Sequence, residues 1–213
     1  MEPWAGPDYE PIQPRGTDWR GLARKLAAPF IFVGGLALKL GSLTKFGLVF
    51  VAFGGYTLIW GWKFAFGVVV LIFVHELGHF LEARREGLNP DWPVFVPFLG
   101  AYVKHTRGNP WQTARVAIAG PALGGVASLV CFGIGEAQGS TLMMALGYFG
   151  FVLNLINLLP FGILDGGSIW RSTRWLWFGG GRSRAIASAV FYLGTALLLL
   201  VGAIAAYVPQ HRL

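Results

Sequence analysis

The sequence predicts an all-α, multi-pass membrane protein with about five transmembrane helices, six being possible, and one short re-entrant β-hairpin loop. Two observations about composition point there. Hydrophobic residues make up 54% of the 213 positions and charged ones only 13%, where a soluble domain carries roughly 25% charged residues. Mean hydropathy is +0.56, with nine Trp and seventeen Phe. A third observation is the spacing, because the apolar residues gather into runs of membrane-spanning length separated by short polar breaks. The length corresponds to one domain, which leaves no room for a membrane bundle plus a sizeable soluble module. The single Cys131 lies in an apolar run, so no disulfide within the chain is possible and the thiol reads as a small buried hydrophobe.

Residues 1–17 are rich in Pro and Gly and lack an apolar period, which predicts an irregular tail rather than a signal peptide. Residues 18–26 read as a short basic helix capped by Asp18, so 1–26 form a cytoplasmic tail. The apolar stretch that follows is broken by Gly34, Gly35, Lys39 and Gly41, and 27–45 is taken as an interfacial segment. The membrane core is expected over 46–208, with 209–213 as a second tail. Within it, 47–62 and 64–82 are two spans separated by Lys63, hence a tight hairpin. Gly87, Asn89 and Pro90 then supply a turn. The β-branched and aromatic residues after it, broken by Pro93, Pro97 and Gly100, predict two short strands about Leu99 and Gly100. Three further spans are expected at 113–135, 141–163 and 185–208. A connector at 168–184 carries Trp170, Trp175 and Trp177, residues suited to a membrane interface.

Lys and Arg accumulate in short cytoplasmic loops, and this sets the orientation. With five spans and the N-terminus inside, Lys63 and Arg212 are the only ones of the seventeen Lys and Arg left outside. If 27–43 crosses instead, Arg15, Arg20, Arg24 and Lys25 move outside, so five spans are preferred. Topology thereby accounts for the net charge of +7. No nucleic-acid partner is implied, whereas contact with the lipid bilayer, including anionic lipid, is.

The run 64–82 carries His75, Glu76 and His79 near its end. On a helix the two histidines stand at i and i+4 on one face with Glu76 beside them, the spacing of a zinc site with a base attached. Ionisable side chains inside a membrane-grade segment are costly and call for a functional explanation. A catalytic zinc generally takes three protein ligands and keeps a fourth position open, so a partner must come from elsewhere. Glu136 falls on the outer side, Glu86, Asp91 and His105 fall in the loop, and the remaining acids up to Asp18 fall in the tail. That leaves Asp165, at the cytoplasmic end of the fourth span. There Pro160 and the glycines 162, 166 and 167 loosen the backbone, as is tolerated at membrane depth where the chain lines a wet cavity.

HELGH within one span, together with the pattern spelled by Asn157, Pro160, Asp165 and Gly166, resembles the site-2 protease family of intramembrane zinc metalloproteases. The likeness covers about 64–169 and implies a minimal member without a PDZ insertion or a C-terminal regulatory domain. It implies that His75, His79 and Asp165 bind Zn2+, that Glu76 acts on the catalytic water and that Asn157 assists the substrate carbonyl. The AGP at 119–121 also looks like a family feature, but relatives often carry Asn three residues after that Pro, where this chain has Gly124.

On this likeness the expected partner is a membrane-protein substrate with a helical span. The expected place is a bacterial cytoplasmic (inner) membrane, with the active site near the cytoplasmic face. Other readings stay open at the level of the sequence. Asp165-Gly-Gly is also a turn signal, Asn157 also suits an inter-helix hydrogen bond, and the small residues 117–128 suit close helix packing. His105 and Glu82 are assigned to solvated or interfacial positions. As a whole, the chain could be a catalytically idle scaffold or a membrane-embedded zincin that cleaves soluble peptides.

Overall fold

The computed structural model describes residues 41–96 and 100–207. The expected tails at 1–26 and 209–213, and the interfacial segment as far as residue 40, lie outside the described residues. Among the described residues, six helices and two strands follow in chain order: α1 Gly41–Trp60, α2 Trp62–Arg85, β1 Val94–Val96, β2 Gly100–Tyr102, α3 Pro110–Gln138, α4 Thr141–Asn157, α5 Asp165–Phe178 and α6 Arg182–Tyr207. The described chain is mostly helical with one small antiparallel sheet. Among the described residues, α2, α3 and α6 are long and apolar enough to cross a membrane, while α4 is shorter at 17 residues.

The helix boundaries follow local chemistry. The break between α1 and α2 falls at Gly61, φ 79°, and not at the expected Lys63, because glycine takes positive φ without a Cβ penalty. At the end of α2, Gly87 and Asn89 both adopt positive φ, and Leu88 N donates to Ala83 O at 2.9 Å, so the predicted turn forms. Asn109 and Gln112 close a reciprocal capping box at the start of α3 with Pro110 in its first turn, so this helix begins before the expected residue 113. Its other end is the left-handed Gly139. Helix α4 ends at Asn157, six residues before the expected end of that span, because Pro160 cannot donate to a continuing helix.

The expected connector at 168–184 is in fact mostly helix. Asp165, read as the end of the fourth span, instead stands in the first turn of α5, where a carboxylate suits the helix dipole. Gly166, Gly167, Ile169, Ser172 and Leu176 form its buried stripe at helical spacing. Trp170, Trp175, Trp177 and Phe178 are exposed on the other side.

Two apolar clusters hold the helices. One joins Ala52 and Tyr56 of α1, Val68, Leu71 and Ile72 of α2, Phe95 of β1 and Leu146 of α4. The other joins Ala117 of α3, Phe151 of α4, Ile169 of α5 and Leu199 and Ala203 of α6. Over their most apolar windows, 56% of α2 is buried but only 17% of α6. Helix α2, with the HELGH motif, is therefore enclosed by protein, while α6 turns Val190, Phe191, Leu197 and Leu198 outward as a lipid-facing surface. The hairpin pairs Val94 with Tyr102, Phe95 with Ala101 and Val96 with Gly100, and lies along α2 through stacked rings, Phe73 on Phe95 and Phe80 on Trp92.

Candidate metal centre

His75, Glu76 and His79 sit in the second half of α2 and all three are buried. Helical spacing brings the two imidazoles together, with His75 Nε2 and His79 Nε2 3.1 Å apart. Asp165 reaches them from α5, its Oδ2 lying 3.3 Å from each Nε2. Three donors on a tetrahedral zinc at about 2.0–2.1 Å stand roughly 3.3 Å apart, so the spacing of these atoms is that of a zinc ligand set.

The hydrogen-bond partners say the same. The Nδ1 of His79 faces the Val116 carbonyl oxygen at 2.8 Å, and the Nδ1 of His75 faces Asn154 Oδ1 at 2.7 Å. Both partners are acceptors, so each Nδ1 carries the ring proton and each neutral Nε2 is left as a lone pair. The short Nε2–Nε2 contact is then no hydrogen bond. Although Asp165 Oδ2 is within ion-pair distance of both rings, it is buried and receives no hydrogen bond among the described residues. Three acceptors pointing at one another without a proton between them are stabilised by a cation. Among the described residues, His75, His79 and Asp165 form a group able to hold a metal ion.

Helix α3 builds the wall of the site. A Cβ on Gly78 would land on the Ala119 carbonyl and one on Gly120 would land on the His79 ring, so the small residues let α2 and α3 approach closely enough to enclose the imidazoles. Pro121 has no N–H for the carbonyl of Ala117, which loosens the turn whose Val116 carbonyl accepts from His79. At the edge of the site, Arg115 of α3 clamps the end of α2 by binding Glu82 and Glu86 through its two terminal nitrogens, each at 2.5 Å. Glu82, assigned to a solvated or interfacial position, is thus paired and largely covered.

A cavity of about 480 Å³ opens onto these groups. Glu76 lines it beside the three clustered side chains, and so do Asn157, Ala101, Tyr102 and Val103. His105, assigned to a solvated or interfacial position, lines it too, with its Nδ1 directed at Thr106 O at 2.8 Å. Asn157 spends one amide N–H on Leu153 O at 3.2 Å, so the helix-bonding role and a place on the cavity are both realised. Tyr192 of α6 donates to the Leu158 carbonyl at 2.7 Å and so secures the end of α4, where the chain turns toward Asp165. Two residues that hold the rings, Asn154 and Val116, were missed from the sequence. A polar side chain in the middle of the apolar run 141–163 was the available signal for Asn154. A backbone carbonyl gives none.

Comparison with known proteins decides the family. The model of Peptidase family M50 matches residues 63–141 and 135–201, a stretch holding every residue of the cluster. The chain belongs to peptidase family M50. The resemblance to site-2 proteases seen in the motifs is therefore correct, and with its three long apolar helices the chain is an integral membrane protein. A protein of Synechocystis named "Putative zinc metalloprotease sll0528" is 34% identical over 128 residues, covering 57% of this chain and 34% of that protein. Another, of Mycobacterium tuberculosis, named "Putative zinc metalloprotease Rip3", is 27% identical over 172 residues, covering 73% of this chain and 43% of that protein. The chain thus spans less than half the length of these relatives.

Proposed function

We propose that this chain is an intramembrane zinc metalloprotease that hydrolyses a peptide bond in or near a transmembrane segment of membrane-protein substrates. The observation that carries the reading is the convergence of His75 Nε2, His79 Nε2 and Asp165 Oδ2 in a cavity that Glu76 also lines, on the most enclosed of the long apolar helices. These three residues would hold the zinc. When bound, the ion would supply Lewis acidity, polarising the scissile carbonyl and acidifying a water molecule.

The remaining steps belong to the chain. Glu76 takes the proton of the attacking water on its carboxylate and passes it to the leaving amine, a role worth about 10²–10⁴-fold. Asn157 has a second amide N–H beyond the one spent on Leu153 O, and gives it to the developing oxyanion. Strand β2 is paired with β1 alone among the described residues, and Ala101, Tyr102 and Val103 line the cavity. An unwound substrate segment adds to that edge, where its carbonyls become accessible. Residues 46–208 form the metalloprotease core, with 1–26 as a cytoplasmic tail and 27–45 at the interface. Five spans place the site near the cytoplasmic face of a bacterial inner membrane. The partners are the bilayer and the helical substrate.

The test is Glu76→Gln. It should leave fold and zinc content unchanged, reduce turnover of a co-expressed membrane-span reporter by about 10²–10⁴-fold, and trap the reporter in a co-purifying complex. Full turnover by the variant would sink the protease reading in favour of a scaffold.

A further inference from the structure

We propose that Asn154, cradled by Gly124, is the positioning residue that fixes His75 in its metal-binding tautomer and orientation. The inference rests on the zinc reading above. Asn154 projects from the last turn of α4 and is 1% exposed. Its Nδ2 donates to the Gly150 carbonyl at 2.7 Å, and its Oδ1 lies 2.7 Å from His75 Nδ1. These two bonds determine each other. Turning the amide over would set its NH2 against the His75 N–H and its oxygen against the Gly150 carbonyl, exchanging two good bonds for two repulsive contacts. With the amide fixed this way, the His75 proton stays on Nδ1 and the Nε2 lone pair points at His79 Nε2 and Asp165 Oδ2, 3.1 and 3.3 Å away.

The two rings are held by different means. His79 leans on a backbone carbonyl, which no side-chain replacement can remove. His75 leans on a side chain, so its orientation depends on one residue. Gly124 completes the arrangement, because a Cβ there would land on the Asn154 amide oxygen and nitrogen. The glycine on α3 and the asparagine on α4 therefore act as a matched pair. Without the acceptor, the His75 Nδ1–H would be buried and unsatisfied. The ring would then favour a proton on Nε2, in the place the cation needs. Outer partners of metal-bound histidines typically contribute 10–100-fold in metal affinity.

The experiment measures zinc affinity of the full chain in detergent by chelator competition, alongside the thermal unfolding midpoint of the metal-free protein. Asn154→Leu should weaken zinc by about 10–100-fold, while Asn154→Asp, which keeps an acceptor toward His75 but replaces the donor to the Gly150 carbonyl with an oxygen, should recover part of that loss. Gly124→Ala should weaken zinc in the wild-type background but add nothing in an Asn154→Ala background, the non-additivity expected of residues in contact. Unchanged affinity in Asn154→Leu, or equal loss in the Leu and Asp variants, overturns the proposal. If Asn154→Leu does not fold, additive effects of Gly124→Ala and Asn154→Ala overturn it instead. Failure of the unmodified chain to bind zinc at all would refute the metal reading itself, which is a separable outcome.

Discussion

Gly120→Ala separates helix packing from site construction in the small-residue run of α3. In a helix interior, alanine is favoured over glycine by about 1 kcal/mol. At Gly133, on the same helix, an added Cβ meets nothing within 4 Å, so Gly133→Ala should gain up to that amount. At Gly120 the same gain is opposed by the clash with the His79 ring, and overpacking of this kind costs about 1–3 kcal/mol. The net for Gly120→Ala is therefore a loss of about 0–2 kcal/mol in the metal-free protein. The effect on metal should be much larger than this modest change implies. His79 cannot yield without leaving the Val116 carbonyl and the cluster with His75 and Asp165. Zinc affinity should fall by at least about 100-fold, the upper end for loss of an orienting partner, because here the ligand itself is displaced. Chelator competition and thermal unfolding in the same detergent read both quantities. Wild-type zinc affinity in Gly120→Ala, with a stability like that of Gly133→Ala, would refute the claim that α3 shapes the metal centre.

Two further outcomes test the substrate edge and the topology. A proline at Val103 removes a backbone donor next to β2, so Val103→Pro should impair cleavage of a helical membrane reporter more than zinc retention, and equal loss of both would indicate misfolding instead. Reporter fusions should find the N-terminus and the α5 region in the cytoplasm and His211 outside, while an external N-terminus would restore the sixth span.

The sequence by itself determined much of the chemistry, because that information is local. Two histidines four residues apart face the same way on any helix, and an apolar stretch of spanning length around them sets the medium. The turn that leads into the hairpin was legible for a similar reason, since Gly87 and Asn89 sit where the backbone takes positive φ. Asp165 was found by elimination and by its motif, but its structural setting was not. Asp-Gly-Gly reads as a turn, whereas burial of Gly166 and Gly167 against the carbonyls of Leu158 and Phe161 makes it the start of a helix. Three kinds of fact required the tertiary structure. Glu82, assigned to a solvated or interfacial position, and Glu86, assigned to the loop, had no legible partner until α3 brought Arg115 between them. Gly120 and Gly124 were small residues until their missing side chains proved to be the space that His79 and Asn154 occupy. The proton positions on the two imidazoles depend on oxygens 37 and 79 residues away in sequence. No local pattern encodes them, because a hydrogen-bond partner is chosen by the packing of α2, α3 and α4 and not by spacing along one helix.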